Sequence, residues 1–264
     1  RLRRAAARFS GDTRAADAAI VVWALGTLAY PYGLLFFSHG PSALLLVSAW
    51  LVVSHGEHDP GEARRALSGA LAAMAVCTEY TTAPVAVMVA AYGAWRSNRP
   101  VFSLFSVALG ALPFAAALGA YHQLAWGHPL KTGYAFVENK TFESWHAQGF
   151  MGVTTPSPIA RANHLFHPSR GLFAWSPALL LAVPGLWWFF RRSARDAWMA
   201  LGVTAFYLFL ASAFLYEAWG WMLGPRHLTP LVPFLVVPLA IAIARLRETD
   251  AKDVPSSLAV GAVA

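Results

Sequence analysis

Glu79 is the single charged residue between Ala66 and Trp95. It sits where Thr78, Thr81, Thr82 and Pro84 interrupt a run of small and apolar residues. An ionisable group in an apolar stretch of membrane-spanning type is expensive to keep and reads first as functional. Helix breaks at membrane depth are tolerated where they line a cavity. Glu79 is therefore expected to line one; the alternative is a protonated glutamate bonded to a neighbouring helix. His39 lies in another apolar run and would share the same face. A lone histidine there is more often structural than catalytic, so it enters as a candidate lining residue.

The second chemical stretch runs Glu217-Ala218-Trp219-Gly220-Trp221-Met222-Leu223-Gly224-Pro225-Arg226-His227. A Gly-Pro-Arg turn can hold a guanidinium toward a phosphate, which its planar fork grips bidentately. Trp219 and Trp221 suit stacking on a sugar ring. An aromatic belt with an interfacial arginine explains the same residues equally well. Arg226 is the candidate phosphate contact, and Glu217, Trp219 and His227 are candidate lining residues.

A third set, including Lys131, Lys140, Glu143, His146, Arg161, His164, His167 and Arg170, lies in one long polar stretch. Of these, Lys131 and Arg170 are candidate lining residues. The i, i+3 pair His164 and His167 has a metal-ligand spacing. Without nearby carboxylates it reads as ordinary loop, and no metal residue is assigned. No glycine-rich phosphate loop and no Gly-x-Gly-x-x-Gly is present, so no nucleotide signature exists. No cofactor is evident, and a divalent metal stays open but has no support in the sequence. The single cysteine, Cys77, excludes an internal disulfide framework.

The elements that must position these residues follow from composition. The 264 residues are 57% hydrophobic and only 12% charged, with a net charge of +7. Soluble domains carry roughly 25% charged residues, so a soluble enzyme and a nucleic-acid binder are both disfavoured. Residues 18–56, 100–130, 171–190 and 227–244 contain no Asp, Glu, Lys or Arg. A spanning helix needs about 20 mostly apolar residues, and lipid requires the backbone to satisfy itself. The absence of period-2 alternation argues against a barrel.

Fifteen of the twenty basic residues fall in short clusters between apolar runs: Arg1, Arg3, Arg4, Arg8 and Arg14; Arg64 and Arg65; Arg96 and Arg99; Arg191, Arg192 and Arg195; Arg245, Arg247 and Lys252. The positive-inside rule places them in the cytoplasm. Threading the chain accordingly predicts an all-α, polytopic transmembrane helical bundle of about eight helical segments. Residues 16–53 go out and return. Residues 66–95 form a short re-entrant-like hairpin with Thr78–Pro84 at its tip. Residues 101–121 go out, 122–170 form one long outer loop, 172–190 return, 197–215 go out and 228–244 return. Arg1–Arg14 reads as a basic loop. The predicted organisation is a transmembrane domain over 1–245 and a polar, small-residue cytoplasmic tail over 246–264, with both visible termini cytoplasmic.

At these residues the chain resembles the bacterial membrane glycosyltransferases of the C-type superfamily, among them protein mannosyltransferase-like enzymes. Gly26-Thr27 through Tyr30-Pro31-Tyr32 to Phe36-Phe37-Ser38-His39 is similar to the family's turn. Thr78-Glu79-Tyr80 is similar to its short hairpin. Ser169-Arg170-Gly171-Leu172-Phe173 with Ser176-Pro177 resembles its entry to a late helix. Gly224-Pro225-Arg226-His227-Leu228 followed by Pro230 and Pro233 resembles its most specific segment. The resemblance spans most of residues 15–245. It implies a plasma-membrane enzyme of the bacterial cell envelope. Such an enzyme moves a hexosyl or pentosyl group from a polyprenyl-phosphate donor to a glycan, lipid or protein acceptor on the non-cytoplasmic face. It assigns the donor phosphate to Arg226. The family's acidic general base is expected upstream of Arg1, in a first outer loop, so the chain reads as an N-terminally truncated piece. The competing expectations are a transporter or lipid flippase, in which the broken hairpin is a substrate path, and a catalytically inactive homologue.

Overall fold

In the computed structural model, residues 1–54, 59–214 and 223–253 are described, with side chains to residue 249. Among them the chain is helical and forms no strand; pairing is limited to isolated bridges such as Val153 with Phe214. Among the described residues three helical stretches are long and apolar enough to cross a membrane: Pro100–Trp126, Ala194–Ala213 and Arg226–Thr249.

Helix α1 spans Leu2–Ser10, α2 Thr13–Leu25, α3 Ala29–Leu34 and α4 His39–Ser54. The expected basic loop over Arg1–Arg14 is thus replaced by a helix and the start of a second. Ala5-Ala6-Ala7 is strong helix former, and Gly11 closes α1 in the left-handed conformation (φ 74°). Ala5 and Ala6 are buried while the arginines point out. Asp12 caps α2 by accepting from the backbone N–H groups of Arg14 and Ala15.

Helix α5 spans Glu62–Thr78 and α6 Ala83–Trp95, joined by a 3₁₀ turn over Tyr80–Thr82. Glu79 itself is extended (φ −157°, ψ 114°). Pro84 in the first turn of α6 needs no donor there. The break therefore falls within the expected tip. Helix α7, Pro100–Trp126, packs along α5 at very close range. A Cβ on Gly69 would strike the carbonyl of Val107, and one on Gly110 would strike the carbonyl of Ala66. Glycines at such a crossing let two backbones touch, a common device where lipid gives helices no hydrophobic drive to associate. The rest of α7 is mostly exposed, presenting Phe102, Phe105, Leu109 and Leu112 outward. That surface suits lipid rather than water.

The long polar stretch is shorter and more structured than expected. His122–Trp126 belongs to α7, and the stretch beyond contains α8 (Lys140–His146) and α9 (Pro158–Phe166). Asn139 and Ser157 cap these helices through their side chains. Residues 172–190 do not form one spanning helix. Helix α10 covers only Leu172–Trp175, a 3₁₀ stretch covers Pro177–Leu181, and α11 runs Ala182–Arg192. Pro177 removes a donor at the break, and Ser176 there accepts from the backbone N–H of Leu28 at 3.1 Å.

Helix α12 spans Ala194–Ala213. Residues Arg226–Leu235 form a long 3₁₀ stretch that leads into α13, Val236–Asp253. Pro230 and Pro233 deprive it of α-helical donors. This stretch and α13 form the buried centre: Leu228, Leu231, Val232, Phe234 and Leu239 are fully enclosed, and Trp50 stacks on Phe234 at 5.4 Å. Since α13 continues to Asp253, residues 246–253 are helix rather than tail.

Candidate functional site

Two helix ends carry the first pair of groups. His39 opens α4 and Glu79 ends α5, and the two meet with His39 Nδ1 2.9 Å from Glu79 Oε2. Ser42, one turn along α4, donates to the same oxygen at 2.9 Å. Thr81 donates to Glu79 Oε1 at 2.7 Å, and Ser38 reaches Oε2 at 3.5 Å. The side chains of His39 and Glu79 are only 7% and 9% exposed, so water does little to solvate them. A carboxylate this enclosed is stable only because its oxygens are satisfied by hydroxyls and an imidazole.

The third element is the start of the 3₁₀ stretch. The His227 ring lies 5.2 Å from the His39 ring at 75°, and the Phe214 ring, just past the end of α12, lies 5.5 Å from the His227 ring. Its Nδ1 is buried and has no hydrogen-bond partner among the described residues. Arg226 reaches His227 Nε2 through Nε at 3.5 Å, the outer edge of hydrogen-bonding range. The Arg226 guanidinium lies 5.8 Å from the Phe37 ring and forms no ion pair among the described residues.

The aromatic turn between α3 and α4 buttresses the cluster. Phe37 stacks parallel to His39 at 6.1 Å, and Tyr32 meets both rings edge-on at 5.9 Å. The Tyr32 hydroxyl donates to the carbonyl of Leu223 at 2.6 Å, tying α3 to the turn that carries Arg226. Gly224 in that turn has φ 60°, and a Cβ there would press on Leu28 and Trp175. From α12, Tyr207 lies within electrostatic reach of Glu79, its buried hydroxyl without a partner among the described residues. His164 of α9 comes within electrostatic reach of His227 and also bonds the Ala160 carbonyl through Nδ1 at 2.6 Å.

Of the residues picked from sequence, the structure brings together His39, Glu79, Arg226 and His227. Lys131 is exposed in the loop, with its ammonium 4.5 Å from the Phe136 ring. Arg170 is exposed in the turn before α10. Glu217 and Trp219 fall outside the described residues. Sequence reasoning missed Ser42 and the pairing of His39 with Glu79. The signal for Ser42 was its i, i+3 relation to His39 on one helix face.

A second contact fixes the hairpin tip. The Tyr80 hydroxyl meets His122 Nε2 at 2.8 Å, and His122 Nδ1 meets the Pro129 carbonyl at 3.0 Å. The carbonyl can only accept, so Nδ1 carries the proton and Nε2 accepts from the tyrosine. The tip is thereby pinned to the end of α7.

The cluster stands at the opposite end of its helices from the arginines. Helix α5 runs about 22 Å from Arg64 and Arg65 to Glu79, at 1.5 Å per residue. Helix α4 runs from His39 to Ser54, whose carbonyl accepts from Arg8 at 3.3 Å. Arg226 begins the stretch whose far end carries Arg245 and Arg247.

An enclosed carboxylate, two imidazoles and a guanidinium without an ion pair among the described residues can bind an anion, orient it and move a proton. His39, Glu79 and His227 also each bring one ligand atom within 4.8 Å of the others, the chemistry of a cation site. No family model matches the chain, and no curated protein or solved structure matches it.

Proposed function

We propose that the protein is an integral membrane glycosyltransferase of the C-type kind. It moves a sugar from a polyprenyl-phosphate donor to a glycan, lipid or protein acceptor on the non-cytoplasmic side of a bacterial plasma membrane. The observation that carries this reading is the meeting of residues 39, 79, 226 and 227 at one end of an apolar helical assembly, opposite the arginines. With the arginine end in the cytoplasm, the helices form a polytopic bundle and the cluster lies toward the far leaflet. Arg226 holds the donor phosphate, whose charge grows as the glycosidic bond breaks. A preorganised cation there lowers the barrier. His39 and Glu79, fixed by Ser42 and Thr81, shape the wall beside it. The membrane location also accounts for the lack of a nucleotide loop, since a lipid-linked donor arrives through the bilayer.

The test uses membranes containing the protein and radiolabelled polyprenyl-phosphate sugars. Transfer to endogenous acceptor is expected, and it falls about 100-fold in Arg226→Ala. Absence of transfer with any donor overturns the reading; unchanged transfer in the variant removes Arg226 from it. The break at Glu79 between α5 and α6 also suits a transport path. Lipid flux in proteoliposomes without covalent product would favour that reading instead.

A further inference from the structure

We infer that His39, Glu79 and His227 form a binding site for one divalent transition-metal ion, with zinc the best match. This goes beyond the transfer reading and does not depend on it. Three observations carry it. The ligand atoms come from three separate elements, the start of α4, the end of α5 and the start of the 3₁₀ stretch, yet all lie within 4.8 Å of one another. Two imidazoles and one carboxylate form a ligand set typical of zinc sites that keep a fourth position open. Imidazole-rich sets also favour such ions over magnesium or calcium, which prefer all-oxygen shells.

The second observation is the state of His227. Its Nδ1 is buried without a partner among the described residues, and its Nε2 has only the 3.5 Å contact from Arg226. A buried ring nitrogen left in this condition costs free energy. A metal ion bound through Nδ1 supplies that interaction once the ring proton sits on Nε2, and the 3.5 Å contact from Arg226 is then given up. The third observation is the support around the ligands. Thr81 and Ser42 hold the two oxygens of Glu79, while Phe37 and Phe214 pack on the rings of His39 and His227. Outer groups of this kind orient ligands and exclude water.

The geometry sets a definite requirement. Tetrahedral donors about 2.1 Å from zinc stand about 3.4 Å apart. The widest separation must therefore close by up to about 1.4 Å on metal binding. The ion takes the place of the His39–Glu79 hydrogen bond and leaves a position for water or an anionic oxygen.

The experiment is performed on the protein purified in detergent and stripped with a chelator. Zinc chloride is titrated by calorimetry, and cobalt chloride by visible absorption. One ion per chain is expected, with the intense visible bands of four-coordinate cobalt. His39→Ala and His227→Ala should each weaken binding at least tenfold, and Ser42→Ala less. X-ray absorption on the zinc-loaded wild type should show two imidazoles in the first shell, a readout that needs no variant to fold. The inference is overturned if the stripped wild type takes up no ion at micromolar concentrations. It is equally overturned if the bound ion has no imidazole ligand, or if both folded histidine variants bind like wild type.

Discussion

At the arginine end, Arg65 is paired with Asp59 and also donates to Ser97 at 2.8 Å. Arg96 lies 3.9 Å from Asp196, Arg247 donates to Asp12 at 2.8 Å, and Arg192 donates to the carbonyl of Phe9. At the other end, Arg226 has no carboxylate among the described residues, and His227 keeps a buried nitrogen without a partner there. The first region uses its charges to join elements to one another. The second holds a cation and a ring nitrogen without such ties among the described residues, beside an enclosed carboxylate. Natural folds satisfy most buried polar groups; the arginine end has exceptions of its own at Arg65 Nε and Ser54 Oγ, so what sets the second region apart is that its exception, His227, lies beside an enclosed carboxylate and a second imidazole.

The largest effect that tests this contrast is expected at Asp196. Its carboxylate accepts from the Tyr92 hydroxyl at 2.7 Å and from Ser193, and it faces Arg96; only 2% of its side chain is exposed. Removing one partner of a buried charge pair costs about 3–5 kcal/mol. Asp196→Ala should therefore lower the melting temperature by about 6–20 °C in detergent. Surviving folded protein should keep its transfer rate. A variant with normal melting but lost transfer would assign catalysis to the arginine end and break the comparison.

Next is Arg226→Ala, which should leave the melting temperature within about 2 °C and cut transfer about 100-fold, equivalent to about 2.7 kcal/mol. Stability loss on the scale of Asp196→Ala would reclassify Arg226 as another structural tie. Ser42→Ala should fall between the two behaviours. It removes a hydroxyl from Glu79 Oε2 and leaves His39 in place. Loss of one hydrogen bond to a charged group costs about 1.5–3 kcal/mol, and transfer is expected to drop about tenfold with a fall in melting temperature of about 3–12 °C.

The two regions were unequally legible. Glu79 stood out because threonines and a proline break an uncharged run, and the break lies where those residues put it. Arg226 stood out through its Gly-Pro-Arg turn. The meeting of His39 with Glu79 was not legible, because 40 residues separate them and only the packing of α4 on α5 brings their ends together. The arginine end misled in another way. Charge counting made residues 1–14 a loop, while the alanines between the arginines make two faces of a helix, one buried and one solvated. The polar stretch after α7 carried helix starts at Asn139 and at Ser157-Pro158 that composition alone hid. Proline spacing over Pro230 and Pro233 accounts for the 3₁₀ form of a segment whose apolar content suggested an ordinary helix.

The smallest effect concerns how the arginine end responds to acid. The Asp59 carboxyl is held below the usual carboxylate range, first by the hydrogen bond from Arg65 and then by the backbone N–H of Gly61. The Asp12 carboxyl is lowered likewise, chiefly by the backbone N–H of Ala15 and further by Arg247. A carboxyl whose pKa is depressed by folding adds stability above its unfolded value, about 3.9. That contribution is lost as pH falls through the folded value. Asp59 is one-third exposed, so its pairing is screened by water. Asp59→Asn should lower the melting temperature by about 1–3 °C at pH 7. Near pH 3 the difference should shrink, because below about 3.9 the Asp59 carboxyl of the unfolded chain takes up its proton and the advantage of the folded, lowered one diminishes. A difference that is constant from pH 7 to pH 3 would mean that the contact acts through shape and hydrogen bonding alone. Charge pairing would then not be what holds the 59–65 turn at this end.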